Sequence, residues 1–215
     1  MQQASPRSAE HDARDLDRGL VVNLIGYVLK LGQPALLVWV VRSYGAESWG
    51  QYTVCEAVLL LALRVVLMGF DKTLLWWVPR MSADPAAYAR LRGATRAVLA
   101  FALLGALLIG TLLAAPLSNW RGASNAANAL QWMAWSLVPM SLMEIFIAGA
   151  LGKRKLESHV LVRDGLVSLS FVVLALCFYY AGFRDHGLSL SHFIANTLGA
   201  ITSGVMFVRL YGWAG

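Results

Sequence analysis

The amino-acid sequence predicts an all-α membrane protein, a polytopic bundle of about six transmembrane helices. Hydrophobic residues occupy 58% of its 215 positions, and the mean hydropathy is +0.60. Charged residues make up 14%, against roughly 25% in a typical soluble domain. A soluble fold of this size needs more polar side chains to cover its surface, whereas apolar side chains can face lipid. The composition therefore favours a bundle embedded in a bilayer.

Six apolar runs along the chain are each long enough to cross the hydrocarbon core, which takes about 20 residues of helix. The runs are continuous rather than alternating in polarity, and they exceed the length of a barrel strand. We therefore predict a polar cytoplasmic tail over residues 1–19 and a single transmembrane unit over residues 20–215. The predicted spans cover residues 20–41, 49–70, 94–115, 131–151, 161–181 and 188–211.

The distribution of Lys and Arg between the loops predicts the orientation, because cytoplasmic loops carry an excess of both. One side carries Arg7, Arg14, Arg18, Lys72, Arg80, Arg90, Arg92, Arg96, Lys153, Arg154, Lys155, Arg163 and Arg209. The other side carries only Arg42, Arg121 and Arg184. This asymmetry predicts that both termini lie in the cytoplasm, and it explains the net charge of +6 without a nucleic-acid partner.

Lys30 is the most deeply placed charge in the first apolar run. It lies about 15 Å from either membrane surface at a helical rise of 1.5 Å per residue. Asn23 and Gln33 fall on the same helix face as Lys30. Polar side chains at this depth need protein or water around them, so we predict that the three residues line a cavity. The alternative is a lysine held by a carboxylate for structural reasons alone.

Three more ionisable residues interrupt the apolar runs: Glu56 and Arg64 in the second run, and Glu144 in the fourth. Arg64 and Glu144 have similar predicted depths, so we expect them to be partners. Glu56 lies within roughly 6 Å of Lys30 in depth, from the same helical rise. We predict that Arg64 lines the cavity and that Glu56 and Glu144 are charge partners or coupling groups. Arg64 could instead extend its side chain to the cytoplasmic surface.

The sixth run carries His192 and Asn196 on one helix face, and we expect Asn196 to line the cavity. His192 falls close to the predicted outer boundary, where a lone histidine is more often an interfacial residue than a ligand or proton relay. The sequence has no nucleophile elbow, phosphate loop or zinc-binding helix motif, and Cys55 and Cys177 lack metal-ligand spacing. We therefore predict no catalytic residue, no metal and no cofactor, apart from a coupling ion such as H⁺ or Na⁺.

Four segments follow one another in an order typical of a known transporter family. They are NLIGYVLK at residues 23–30, YGAESWGQY at 44–52, GFDK at 69–72 leading to VPR at 78–80, and GKRK at 152–155. Together they resemble the N-terminal lobe of polysaccharide flippases, which belong to the multidrug/oligosaccharidyl-lipid/polysaccharide exporter superfamily. That family has twelve to fourteen spans in two lobes. The resemblance therefore implies that this chain is one six-helix lobe, whose partner is a second lobe in cis or a second copy in a dimer.

The resemblance also implies a cargo and a location. The cargo would be an oligosaccharide linked to undecaprenyl diphosphate, carried across the bacterial inner membrane by alternating access for surface polysaccharide biosynthesis. On depth and charge alone, Lys30 and Arg64 would meet the diphosphate, since Lys and Arg bind phosphate oxygens well. Glu56 and Glu144 would orient these cations or exchange the coupling ion. The alternatives are a multidrug exporter of the same superfamily and a truncated lobe that does not transport.

Overall fold

A computed structural model describes residues 20–21, 24, 26, 28, 32–77, 85–119, 124–152 and 160–211. Nearly all of these residues are helical, and no strand occurs among them. The predicted all-α fold class is therefore confirmed. The predicted tail at 1–19 lies outside the described residues, and so do Asn23 and Lys30.

Nine α-helices are labelled here in chain order within the described ranges. The first, α1, is continuous over residues 32–44. It is followed by α2 (Ala46–Leu67), α3 (Phe70–Trp77), α4 (Pro85–Leu108), α5 (Ala114–Ser118), α6 (Ser124–Ala134), α7 (Leu137–Gly152), α8 (Ser168–Tyr180) and α9 (Gly187–Tyr211). Two π-helical segments complete the chain path, Ile109–Leu113 between α4 and α5, and Val160–Val167 directly before α8.

Four continuous helical stretches are long and apolar enough to cross a membrane: Ala46–Leu67, Arg92–Ser118, Leu161–Tyr180 and Gly187–Leu210. They correspond to the second, third, fifth and sixth predicted spans. The fourth predicted span is broken, because its two parts are bent by 43° relative to each other. Together the pair would make a fifth span. The first predicted span is described only in part, so the sixth crossing stays a prediction.

The bounds of the second span differ from the prediction for a local reason. Met68 has a φ of 44° and lies in the left-handed region, and its amide donates to the carbonyl of Arg64 at 3.2 Å. Gly69 follows with a φ of 81°, and α3 begins at the next residue. This pair of positive-φ residues ends α2 at Leu67, so the predicted end at residue 70 is three residues too late.

Small residues on α4 and α9 lie at the contacts between helices. Ala102 and Ala106 on α4 are buried, as are Ala195 and Ser203 on α9. Helix α9 packs against α7, α8 and the π-helical segment before α8. Small side chains let helix backbones approach closely inside a membrane bundle. Large apolar side chains on α2, α4, α8 and α9 remain exposed, which suits surfaces that face lipid.

Candidate functional site

A cavity of about 220 Å³ lies inside the bundle, and we call it the intramembrane cavity. Charged and amide side chains from five elements contribute to its lining. These are Gln33 from α1, Glu56 from α2, Glu144 from α7, Arg163 from the π-helical segment before α8, and Asn196 from α9. Such groups are costly between apolar helices unless they are paired or hydrated. The cavity is therefore the best candidate for a functional site among the described residues.

An ion pair between Glu144 and Arg163 forms part of the cavity wall. The guanidinium Nη1 of Arg163 donates to Oε1 of Glu144 at 2.5 Å. The Glu144 side chain is 11% exposed and the Arg163 side chain 34% exposed, so the pair is largely withdrawn from the surface. The predicted pairing of Glu144 with Arg64 is therefore wrong. From its position near the start of the fifth apolar run, the sequence predicts that Arg163 is one of the cytoplasmic charges.

Arg64 lies outside the cavity lining, so the structure does not place it where the sequence predicted. Its side chain is 62% exposed, and its nearest described acid is Asp71, with Nη1 4.0 Å from Oδ2. The same Asp71 oxygen lies 3.6 Å from Nζ of Lys72. Arg64 thus belongs to a charged cluster where α2 meets α3. This position agrees with the alternative that its side chain extends out of the apolar region.

The structure brings together four of the seven residues predicted for the site: Gln33, Glu56, Glu144 and Asn196. They come from four different helices, and only their predicted depth and polarity pointed to a common cavity. The side-chain nitrogen of Asn196 donates to the carbonyl of His192 at 2.8 Å. Asn23 and Lys30 fall outside the described residues, so their predicted role in the cavity is untested.

A hydrogen-bonded pair that the sequence did not predict also lines the cavity. Nδ1 of His192 lies 2.9 Å from the hydroxyl oxygen of Tyr52. Tyr52 stacks against Phe171, with ring centroids 5.3 Å apart and planes 21° apart. His192 is only 5% exposed, so its side chain is buried between helices, and its position near the outer boundary stays a prediction. One signal in the sequence was available, because Tyr52 and Glu56 are four residues apart and share a helix face.

No group of three or more His, Cys, Asp or Glu residues that could hold a metal ion occurs in the part of the chain that the structure describes.

Comparison of the chain with protein-family models, with curated proteins and with solved structures finds no match. Fold and site together define a class, a polytopic helical membrane protein with charged groups around an internal cavity. The likeness to polysaccharide flippases rests on the four sequence segments alone.

Proposed function

We propose that the chain is one lobe of a membrane exporter that translocates a lipid-linked oligosaccharide by alternating access. The supporting observation is the intramembrane cavity, where Glu56 and the Glu144–Arg163 pair lie among apolar helices. A buried ion pair adds little net stability over apolar side chains of similar size. Charged groups inside spans characteristically mark the path of a substrate or an ion. The proposal places the chain in the bacterial inner membrane, with both termini in the cytoplasm.

Arg163 takes the role that the sequence had given to Arg64. Its guanidinium carries several N–H donors in a planar fork that fits phosphate oxygens, and Glu144 holds it in place until the cargo arrives. Lys30 would supply the second cation. Gln33 and Asn196 offer amide groups that can bind sugar hydroxyls. Glu56 would then carry the coupling ion.

The size of the cavity bears on how the cargo is held. At about 220 Å³, it is smaller than a typical ligand site, which measures roughly 300–1,000 Å³. A diphosphate with several sugars needs more room than this. In the proposed mechanism the cavity is therefore half of a larger site, and a second copy of the chain supplies the opposite wall.

The direct test uses purified protein in liposomes that contain a short oligosaccharide on undecaprenyl diphosphate. Translocation is the rate at which sugar becomes accessible to an external glycosidase. We expect Arg163→Gln to lower this rate about 10- to 100-fold, because one charged hydrogen bond is worth about 1.5–3 kcal/mol. Arg209→Gln, at an exposed position near the end of α9, is the matched control and should transport normally.

Two outcomes would contradict the proposal. One is a wild-type rate no higher than that of protein-free liposomes. The other is an Arg163→Gln protein that transports as fast as wild type.

A cellular version replaces Lys30 with Ala and compares surface polysaccharide with protein abundance. Loss of polysaccharide at normal abundance supports transport, and loss of the protein itself indicates a structural lysine.

A multidrug exporter is the second candidate, and the charge of the cavity favours it. The described lining contains two carboxylates, Glu56 and Glu144, but one guanidinium, that of Arg163. Because Arg64 lies elsewhere, the described part of the cavity is more acidic than the sequence predicted. A cationic dye in the same liposomes separates the two candidates. Dye movement that Glu56→Gln abolishes, with no movement of the oligosaccharide, would establish drug export instead.

A further inference from the structure

A second polar pocket, of about 190 Å³, lies at the end of the bundle where α2, α6 and α9 begin. The sequence predicts that this end faces away from the cytoplasm, so we call the pocket the outer pocket. Side chains that can hold water by hydrogen bonds line it, among them Gln51, Asn128, Asp185, His186 and Ser189. Tyr52 also belongs to this lining.

Tyr52 lines the outer pocket and the intramembrane cavity alike, so it forms part of the wall between them. Its side chain is held in place on two sides. The residue is 4% exposed, its ring stacks on Phe171, and its hydroxyl is bonded to Nδ1 of His192 at 2.9 Å. The two polar spaces are thus bridged by one hydrogen-bonded pair of side chains that can both give and accept a proton.

The other ring nitrogen of His192, Nε2, points to a link between the pair and the intramembrane cavity. Nε2 is buried and has no hydrogen-bond partner among the described residues. An unsatisfied buried polar group costs roughly 1–3 kcal/mol, and such groups in folded proteins usually have an explanation, such as bound water or a chemical role. His192 lines the same cavity as Glu56, which lies one helical turn after Tyr52. A water molecule in the cavity would form a hydrogen bond with Nε2 and would connect this nitrogen with the Glu56 carboxylate.

We propose that Tyr52 and His192 form a proton-transfer site that connects the outer pocket with Glu56. A hydronium ion in the outer pocket gives a proton to the Tyr52 oxygen while the tyrosine's own proton moves to Nδ1 of His192. The resulting imidazolium releases its Nε2 proton through cavity water to the Glu56 carboxylate. The net change converts hydronium and carboxylate into water and carboxylic acid, and it leaves the ring proton on Nδ1 instead of Nε2. When Glu56 later returns its proton by the same path, the steps run in reverse and restore the first tautomer, so the site exchanges protons between Glu56 and the outer pocket. Chains of His and carboxylate groups serve as proton relays in other membrane proteins.

The charged groups around the Tyr52–His192 pair indicate that Glu56 is the acceptor of the proton. On the cavity side, the carboxylate of Glu144 is already paired with Arg163. Glu56 forms no ion pair within the ranges described above, and the described part of the cavity lining adds no acid beyond Glu56 and Glu144. On the outer side, Arg184, Asp185 and His186 line the pocket and face water. The inference deepens the proposed function by naming the proton as the coupling ion, but its test needs no cargo, so the two can fail separately.

The test follows protonation of Glu56 after a rapid drop in pH. The full chain is placed in lipid nanodiscs, and time-resolved infrared spectroscopy records the carbonyl stretch of newly formed carboxylic acid. Glu56→Gln assigns the signal, since it should remove it. We expect Tyr52→Phe and His192→Asn each to slow its appearance on the order of 10²-fold, the low end of what a positioned proton-transfer group contributes. Tyr52→Phe keeps the ring and its stacking, so it should still fold if His192→Asn does not.

A control variant lies in the same region. Tyr180→Phe changes an exposed tyrosine at the end of α8, outside both polar spaces. It should keep the wild-type rate. A wild-type protein that shows no signal from Glu56 would overturn the proposal. So would a Tyr52→Phe protein in which Glu56 takes up its proton as fast as in wild type, because the proton would then reach it by another route.

Discussion

The pairing of Glu144 with Arg163 can be tested at the scale of single residues by removing one charge and then both. Arg163→Gln leaves the Glu144 carboxylate, which is 11% exposed, without its guanidinium. Breaking a fully buried pair costs about 3–5 kcal/mol, and partial exposure of Arg163 reduces that cost. We expect a loss of about 2 kcal/mol in the free energy of unfolding, measured by denaturant titration in detergent micelles.

The double variant Glu144→Gln with Arg163→Gln provides the internal check. It removes both charges together, so it should recover more than half of the stability lost in Arg163→Gln. The single variant Glu144→Gln completes the comparison. If the losses of Arg163→Gln and Glu144→Gln simply added in the double variant, the two side chains would not interact, which would contradict the ion pair. Arg209→Gln again serves as the exposed control.

The sequence predicted which side chains line the same cavity more accurately than it predicted which side chains are in direct contact. The depths of Gln33, Glu56, Glu144 and Asn196 follow from counting along apolar runs, and all four line the cavity. Which cation reaches Glu144 depends on how α7 packs against the π-helical segment, and that information is not local to either stretch. The hydrogen bond of His192 is equally non-local, since its partner Tyr52 is 140 residues away.

At the scale of helices, the continuous elements were predicted and the irregular ones were not. Uninterrupted apolar runs predict the second, third, fifth and sixth spans to within a few residues. The break between α6 and α7 at Trp135 and Ser136 has a local signal in the sequence, Pro139 near the start of α7. A proline has no amide hydrogen to donate to the carbonyl four residues earlier, here that of Trp135, and its ring crowds that carbonyl. The π-helical segments carry no comparable signal in the sequence.

Gly199 on α9 tests the close packing of helices. A Cβ atom at this position would lie 2.6 Å from Cγ2 of Val167 and 2.7 Å from Sδ of Met143, closer than such atoms approach. Overpacking of this kind typically costs about 1–3 kcal/mol. We expect Gly199→Ala to lower the free energy of unfolding by about that amount, measured by the same denaturant titration.

Gly50 on α2 is the matched control for Gly199, because it is also helical but has no atom near its potential Cβ. Alanine is better than glycine in a helix by roughly 0.5–1 kcal/mol. Gly50→Ala should therefore leave stability unchanged or raise it slightly. Equal losses in the two variants would mean that the contacts of α9 with Val167 and Met143 are not as close as described.

At the scale of the whole molecule, the amino-acid composition predicts that the protein lies in a membrane, whereas the arrangement of its interior depends on contacts between helices. A low content of charged residues and long apolar runs predicted an all-helical membrane bundle, and the exposed apolar side chains agree with it. Orientation stays a prediction from the Lys and Arg asymmetry. The number of chains needed for transport also belongs to this scale, because a complete cargo site needs walls on both sides.

The size of the intramembrane cavity predicts that transport requires two copies of the chain. A space of about 220 Å³ cannot enclose the proposed head group, and two-fold symmetric dimers are the commonest closed assemblies of identical soluble chains. Liposomes made with equal amounts of wild-type and Arg163→Gln protein can measure this. If a working site needs two intact copies, about a quarter of the wild-type transport rate should remain at equal mixing. About half should remain if each chain works alone, and that result would rule out the two-copy site while leaving the ion pair and the proton-transfer site intact.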